Sequence, residues 1–251
     1  MRQKKAFIFC VAALLNVAAT PPTVPFGVVG GEVPGSSGYA ALITIPEGKS
    51  PRLTSLPVTA NIHTAVINTS GTALLTGKEG TNGYYALVSP TGILSPFTIE
   101  LANSNPLHGA INDNGSAIIG GQFSNSGYVA RVAPDGALTP VPLENVRIVD
   151  SVALNNNDVA LVGGEGDEGL FPYAAFVDAD GTVRPIRDIT SKKSGRIASV
   201  ALNGYGEGIV GGHADADTYA AFVLDEGTFP LSPLPAEPHY IQGVAINDSR
   251  Q

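Results

Sequence analysis

Short apolar runs alternate with clusters of Gly, Asn, Asp and Pro from about residue 26 to the end of the 251-residue chain. After the N-terminus no stretch sustains a 3.6-residue apolar period, and the runs are rich in β-branched residues, so the pattern predicts strands joined by turns. The strands recur in a unit of about 44 residues. Five apolar runs end in Asn: Asn68, Asn112, Asn155, Asn203 and Asn247. Eight residues after each of the first four stands Thr76, Gly120, Gly163 or Gly211, each followed by a second Gly. A Tyr then opens a small-then-large apolar run (Tyr39, Tyr84, Tyr128, Tyr173, Tyr219), and a turn Gly closes it (Gly48, Gly92, Gly136, Gly181, Gly227).

Each unit therefore holds four strands, A to D. In the third they are expected at Gly109–Asn112, Ala117–Gly121, Gly127–Ala133 and Ala137–Leu143. Asn112-Asp113-Asn114-Gly115 and Pro134-Asp135-Gly136 supply hairpin chemistry for the A–B and C–D links. Strands A and C are apolar on both faces, as in Ala174-Ala175-Phe176-Val177, which suits sheets stacked between neighbouring sheets. The fold class expected is all-β, a β-propeller of four-stranded blades. Units run over about 26–60, 61–106, 107–148, 149–196 and 197–241, with 242–251 as a lone strand A. Pairing of that strand into the first unit, which lacks its own strand A, would close five blades; the alternative is an open piece of a longer array.

Spacing separates scaffold from variable parts. Asn to Gly is always eight residues and Tyr to turn Gly eight or nine, whereas Gly to Tyr runs from eight to ten and turn Gly to the next Asn from 19 to 22. The A–B and C–D hairpins are thus fixed, and the B–C and D–A connections, which share one face of a meander, are free to carry recognition.

The first 19 residues read differently. Arg2, Lys4 and Lys5 precede the apolar stretch Ala6–Leu15, and Val17-Ala18-Ala19 offers small residues for cleavage before Thr20: a signal peptide (1–19) ahead of a repeat domain (20–251). Its removal leaves 11 cations against 22 acids, a net charge of −11, and takes away Cys10, the only cysteine. An exported chain follows, periplasmic, secreted or at the cell surface. It needs no disulfide, does no thiol chemistry, and carries no span across a membrane in its mature part. The acidic body disfavours nucleic acid.

The unit Ala110 to Leu143, AINDNGSAIIGG…GYVARVAPDGALTPVPL, resembles bacterial extracellular repeats of the HAF type, and Ala221-Phe222-Val223 with Gly227 and Leu231 comes nearest to their strand-and-turn signature. It is also similar to the repeat regions of autotransporter-type surface proteins. The resemblance covers nearly all of the chain after residue 19 and implies a bacterial surface or passenger role; its motifs are turns and strands and bring no catalytic residues with them.

Candidate chemistry is sparse. His63, His108 and Asp150 fall near the start of strand A in successive units, where a ring would gather them at the mouth of its channel as weak candidates for acid–base or metal chemistry; the alignment slips by one residue between the two histidines. The B–C connections are acidic (Glu32, Glu79, Glu165, Asp167, Glu168, Asp215, Asp217), and Lys192, Lys193 and Arg196 add a basic spot on the same face. Their spacing matches no calcium loop. The repeated Tyr is expected to pack between blades with its hydroxyl on a backbone partner, and the Asn to form a turn. No phosphate loop, nucleophile elbow or zinc motif is present, so no cofactor is expected. The expectation is a monomeric, non-enzymatic binding protein that meets a protein or glycan partner, cationic if the acidic loops make the contact. A channel-mouth hydrolase or lyase and a purely structural passenger are the rivals.

Overall fold

The computed structural model describes residues 24–32, 38–46, 50–102, 104–167, 171–215, 217–225, 227–234 and 240–249. The segment read as a signal peptide, residues 1–19, lies outside them.

All but one of the regular elements are strands, and each sheet is an antiparallel meander. The first blade has three: β1 (Gly27–Gly31), β2 (Tyr39–Thr44) and β3 (Arg52–Leu56). The second comprises β4 (Asn61–Ile67), β5 (Ala73–Glu79), β6 (Asn82–Val88) and β7 (Leu94–Ala102). The third follows with β8 (Ser104–Ile111), β9 (Ala117–Phe123), β10 (Ser126–Val132) and β11 (Leu138–Val141). In the fourth are β12 (Val146–Leu154), β13 (Ala160–Gly166), β14 (Pro172–Val177) and β15 (Val183–Pro185). A one-turn helix, α1 (Arg187–Thr190), leads to the fifth: β16 (Gly195–Leu202), β17 (Gly208–Ala214), β18 (Asp217–Leu224) and β19 (Gly227–Pro230). The cores lie between blades: one joins Val28 and Leu42 to Ile62 and Leu75, the next Leu74 and Tyr85 to Ile119 and Val132, then Ile118 and Val129 to Val149 and Val162, then Leu161 and Phe176 to Ile197 and Val210. Blades with two apolar faces make this arrangement, as their sequence requires.

The turn chemistry is as expected. Gly71, Gly115 and Gly206 close the A–B turns and Gly92, Gly136 and Gly181 the C–D turns, all with positive φ; in the fourth blade Asp158 takes the A–B position.

Strand A is longer than expected, because each copy carries a β-bulge that interrupts the apolar pattern. The register shifts fall at Ile62/Thr64, Pro106/His108, Val149/Ser151 and Ile197/Ser199. The bulge explains the Gly pair on strand B. A Cβ on the second Gly would stand 1.8 Å from the carbonyl oxygen of Asn61 at Gly77, 2.0 Å from that of Ile148 at Gly164, and 2.0 Å from that of Arg196 at Gly212. No side chain fits there. The first Gly receives the next blade's strand A: Gly120 takes Val149 and Val152, Gly163 takes Ile197 and Val200, Gly211 takes Ile241 and Val244. Thr76 is the exception, and the facing residue compensates. Where the three following interfaces place Val152, Val200 or Val244, this one has Gly109, whose added Cβ would meet the Thr76 methyl at 2.9 Å.

The repeated Asn does more than form a turn. Its Oδ1 accepts backbone N–H groups of its own turn, as Asn112 does from Asn114 and Ser116. Its amide then donates across to the next blade: Asn68 to the Asn112 carbonyl at 2.9 Å, Asn112 to Asn155 at 3.0 Å, Asn155 to Asn203 at 3.3 Å, Asn203 to Asn247 at 3.3 Å. The four donors are buried, and the ladder locks one blade to the next in register.

Among the described residues the chain's last segment is not paired into the first blade. β1 has β2 as its sheet partner, and nothing approaches the position of a Cβ on Gly31 within 4 Å. The segment 241–248 instead lies on the fifth blade, where a following strand A belongs. Ile241 and Val244 fill the space over Gly211, Val244 N–H donates to Ser199 Oγ at 3.2 Å, and Gly204 N–H donates to Asp248 at 2.7 Å. These bonds, with that of the Asn203 amide, are the ones that each strand A makes to the blade before it, as Val200 does to Ser151.

The repeated Tyr packs between blades as expected at Tyr84, Tyr128 and Tyr173, and burial pushes each phenol up to about 12. The hydroxyl expectation needs correction. The Tyr128 hydroxyl is buried with no hydrogen-bond partner, and it is the neighbouring Tyr85 whose hydroxyl donates to the Gly136 carbonyl at 2.9 Å.

Candidate functional site at the channel mouth

The bulge leaves one residue of strand A out of the pairing register. That position holds His63, Asp150, Ala198 and, by its place on the fifth blade, Gln242. His108 comes one residue after its own bulge, at the place of Ser151 and Ser199. The slip between the two histidines is thus structural. Ser151 and Ser199 accept the N–H of Val200 and Val244 in the next blade.

The three expected residues share one electrostatic neighbourhood. His63 is exposed, His108 half-buried and Asp150 buried. The His108 imidazole lies below its ordinary range because burial disfavours its charge; Asp150 opposes that shift, and His63 and Arg196 add to it. Arg196, reaching from the next blade, holds Asp150 through Nε and one terminal nitrogen, and this hydrogen bonding raises the guanidinium. An acidic partner fixed in this fork is no free base for His108. Among the described residues, no three His, Cys, Asp or Glu are grouped as a metal ion needs.

Several loop assignments change. The B–C connections are tight two-residue links in three blades: 80–81, 124–125 and 215–216. The first, 32–38, and the fourth, 167–171, are longer, and the D–A connection 186–194, which contains α1, follows the fourth blade. Glu165 is not a solvated loop acid. It ends β13, is buried, and pairs with Arg147 at 2.6 Å. Asp215 stands at positive φ, and its carboxylate accepts the N–H of Lys193 at 2.8 Å and of Ser194 at 3.3 Å, so it shapes the D–A loop. Glu79, exposed at the end of β5, accepts the Thr59 hydroxyl at 2.5 Å. Asp167, Asp217 and Lys193 are exposed and Lys192 half-buried; Glu168 lies outside the described residues.

At the end of the 186–194 connection a cleft of about 580 Å³ opens between the fourth and fifth blades, lined by Glu165, Ser194, Arg196, His213, Tyr240 and Gln242 among others. His213 and Tyr240 meet edge to face with ring centroids 4.5 Å apart. The His213 imidazole is held below its usual range by burial, then by Arg196, against Glu165. Arg147, His213 and Tyr240 were not legible as site residues. A signal existed: the residue after the second Gly of strand B is Glu32, Lys78, Gln122, Glu165 or His213, polar and different in every unit. On the opposite face a second cleft, of about 620 Å³, holds Arg131. That guanidinium donates to the Asp158 carbonyl at 2.7 Å, to Val177 at 3.1 Å and to Asp178, so it ties the third blade to the fourth.

The fold and its mouth define the chain as a β-propeller with an inter-blade cleft on its B–C/D–A face. Comparison with solved structures agrees on the fold. TolB from Acinetobacter baumannii aligns with a TM-score of 0.53 at 11% identity, over 80% of this chain and 50% of that one. A protein from Lactobacillus plantarum gives 0.52 at 18%, over 82% and 67%, and the Dos1 propeller 0.51 at 13%, over 78% and 54%. Identities this low show the fold alone. No family model matches the chain, and no curated protein matches it.

Proposed function

We infer that this chain is an exported, non-enzymatic binding protein, a bacterial surface or passenger module, whose B–C/D–A face meets a protein or glycan partner at the cleft between the fourth and fifth blades. One observation carries the reading: the D–A connection 186–194 ends at an open cleft lined by Ser194, His213, Tyr240 and Gln242, side chains that do not recur from unit to unit. Export rests on the N-terminal pattern of residues 1–19.

The test has two parts. Expressed in a bacterial host, the chain should appear outside the cytoplasm with Thr20 as its first residue by N-terminal sequencing. Purified and labelled, it should stain a panel of intact bacterial and animal cells. His213→Ala combined with Gln242→Ala should abolish the staining without changing the unfolding midpoint. Staining that survives this double substitution would place recognition elsewhere.

A further inference from the structure

We propose that the cleft between the fourth and fifth blades is a saccharide site that takes a neutral pyranose against Tyr240. This rests on the reading of that face as a binding surface and names its ligand class.

Charge in the cleft is already balanced. Arg196 is held by Asp150 and Glu165 by Arg147, so an ionic ligand would have to break a pair to gain one. Exposed Asp215, whose carboxylate accepts the N–H of the lining residue Ser194, repels an anion further. What the cleft still offers is planar and polar. Arg196 has five N–H donors and gives Asp150 contacts from Nε and one terminal nitrogen only. The Gln242 amide supplies a donor and an acceptor side by side, the Ser194 hydroxyl both in one atom, and the Glu165 carboxylate further acceptor sites beyond its Arg147 contact. Neighbouring sugar hydroxyls, each donor and acceptor at once, match such groups without bringing charge.

The other face of a pyranose is made of C–H groups, and these need an aromatic surface. Tyr240 supplies it. The ring is 62% exposed at the cleft and is steadied by its edge contact with His213. Its negative π-face suits the weakly positive C–H bonds of the sugar. The cleft volume lies within the roughly 300–1,000 Å³ of small-ligand sites.

Titration calorimetry of the full chain with chitotriose, cellotriose and mannotriose tests the proposal. At least one should bind saturably. Tyr240→Ala should weaken it at least about tenfold, while Tyr240→Phe and Asp217→Asn stay near the parent. The exposed ring makes the alanine variant safe for folding. No saturable binding to any of the three, or unchanged binding by Tyr240→Ala, overturns the saccharide. Cell staining separates this from the broader reading: staining that persists after glycosidase treatment but is lost after protease leaves a binding face with a peptide ligand, and absence of all staining removes both.

Discussion

Exchanging the small and large residues at the interface of the second and third blades should show strong coupling between two sites 33 residues apart in sequence. Gly109→Val alone drives a side chain into filled space: its Cβ would stand 2.7 Å from Leu74 Cδ2 and 2.9 Å from Thr76 Cγ2, where carbon atoms settle at about 3.5–4.0 Å. Thr76 and Leu74 are fully buried, so relief requires the blades to part, and overpacking of this kind costs about 1–3 kcal/mol. Thr76→Gly alone loses a buried methyl but also removes a buried hydroxyl that lacks a hydrogen-bond partner, a group whose desolvation costs about 1–3 kcal/mol; the two effects offset. Thr76→Gly with Gly109→Val restores the pairing used at Gly120/Val152, Gly163/Val200 and Gly211/Val244. There a Leu161 equivalent to Leu74 sits beside Val200 without conflict. The double variant should therefore be at least about 1 kcal/mol more stable than the sum of the singles predicts. Urea unfolding measures it, with an unchanged m-value as the check that the folded state is the same. Single effects that add within about 0.5 kcal/mol would refute the compensation.

Two more outcomes follow from the bonds and charges between blades. Asn112→Ala removes the acceptor for two turn N–H groups and the donor to the Asn155 carbonyl, all in a buried position; it should cost about 2–3 kcal/mol in chemical unfolding, and Asn112→Asp, which keeps the acceptor but loses the donor, should rescue only part of it. His108 and His213 both sit below the ordinary 6.5 in the folded chain, so the unfolded chain takes up their protons first and stability falls as the pH drops below about 6.5. Unfolding midpoints at pH 7.5 and 5.5 should show this decline, and His108→Gln should reduce it. An equal slope in that variant would assign the effect to other groups.

The blades were legible because their constraints are local. A turn Gly at +82° to +88° and an Asn at each strand end leave their mark in the sequence at a fixed interval. Strand A was read too short since its bulge breaks the two-residue alternation that announces a strand; Ser104 to His108 belong to it and look like loop. The site was legible in place and not in membership. His63 and Asp150 both act on the charge of His108. The partners that decide their chemistry, Arg196 for Asp150 and Arg147 for Glu165, come from the adjacent blade and the adjacent strand, and no spacing rule links them. Glu165 looks like a loop acid because Gly166 and Asp167 follow it, yet the strand runs on through Gly166.

Steric necessity also says where this scaffold can differ without cost to the fold. The second strand-B Gly faces a backbone carbonyl at 1.8–2.0 Å where a Cβ would go, and the ladder Asn serves two blades at once; neither position tolerates another residue. One step past the Gly pair and at the bulge, the backbone needs nothing from the side chain. There the units diverge: Lys78, Gln122, Glu165 and His213 after the Gly pair, and His63, Asp150, Ala198 and Gln242 at the bulge. The two sets are neighbours in each sheet because the bulge lies across from the glycines. The bulge and the Gly pair that make blade stacking possible therefore also border the positions where the units are free to differ, and at two of them the freedom is used for ion pairs, Asp150 with Arg196 and Glu165 with Arg147.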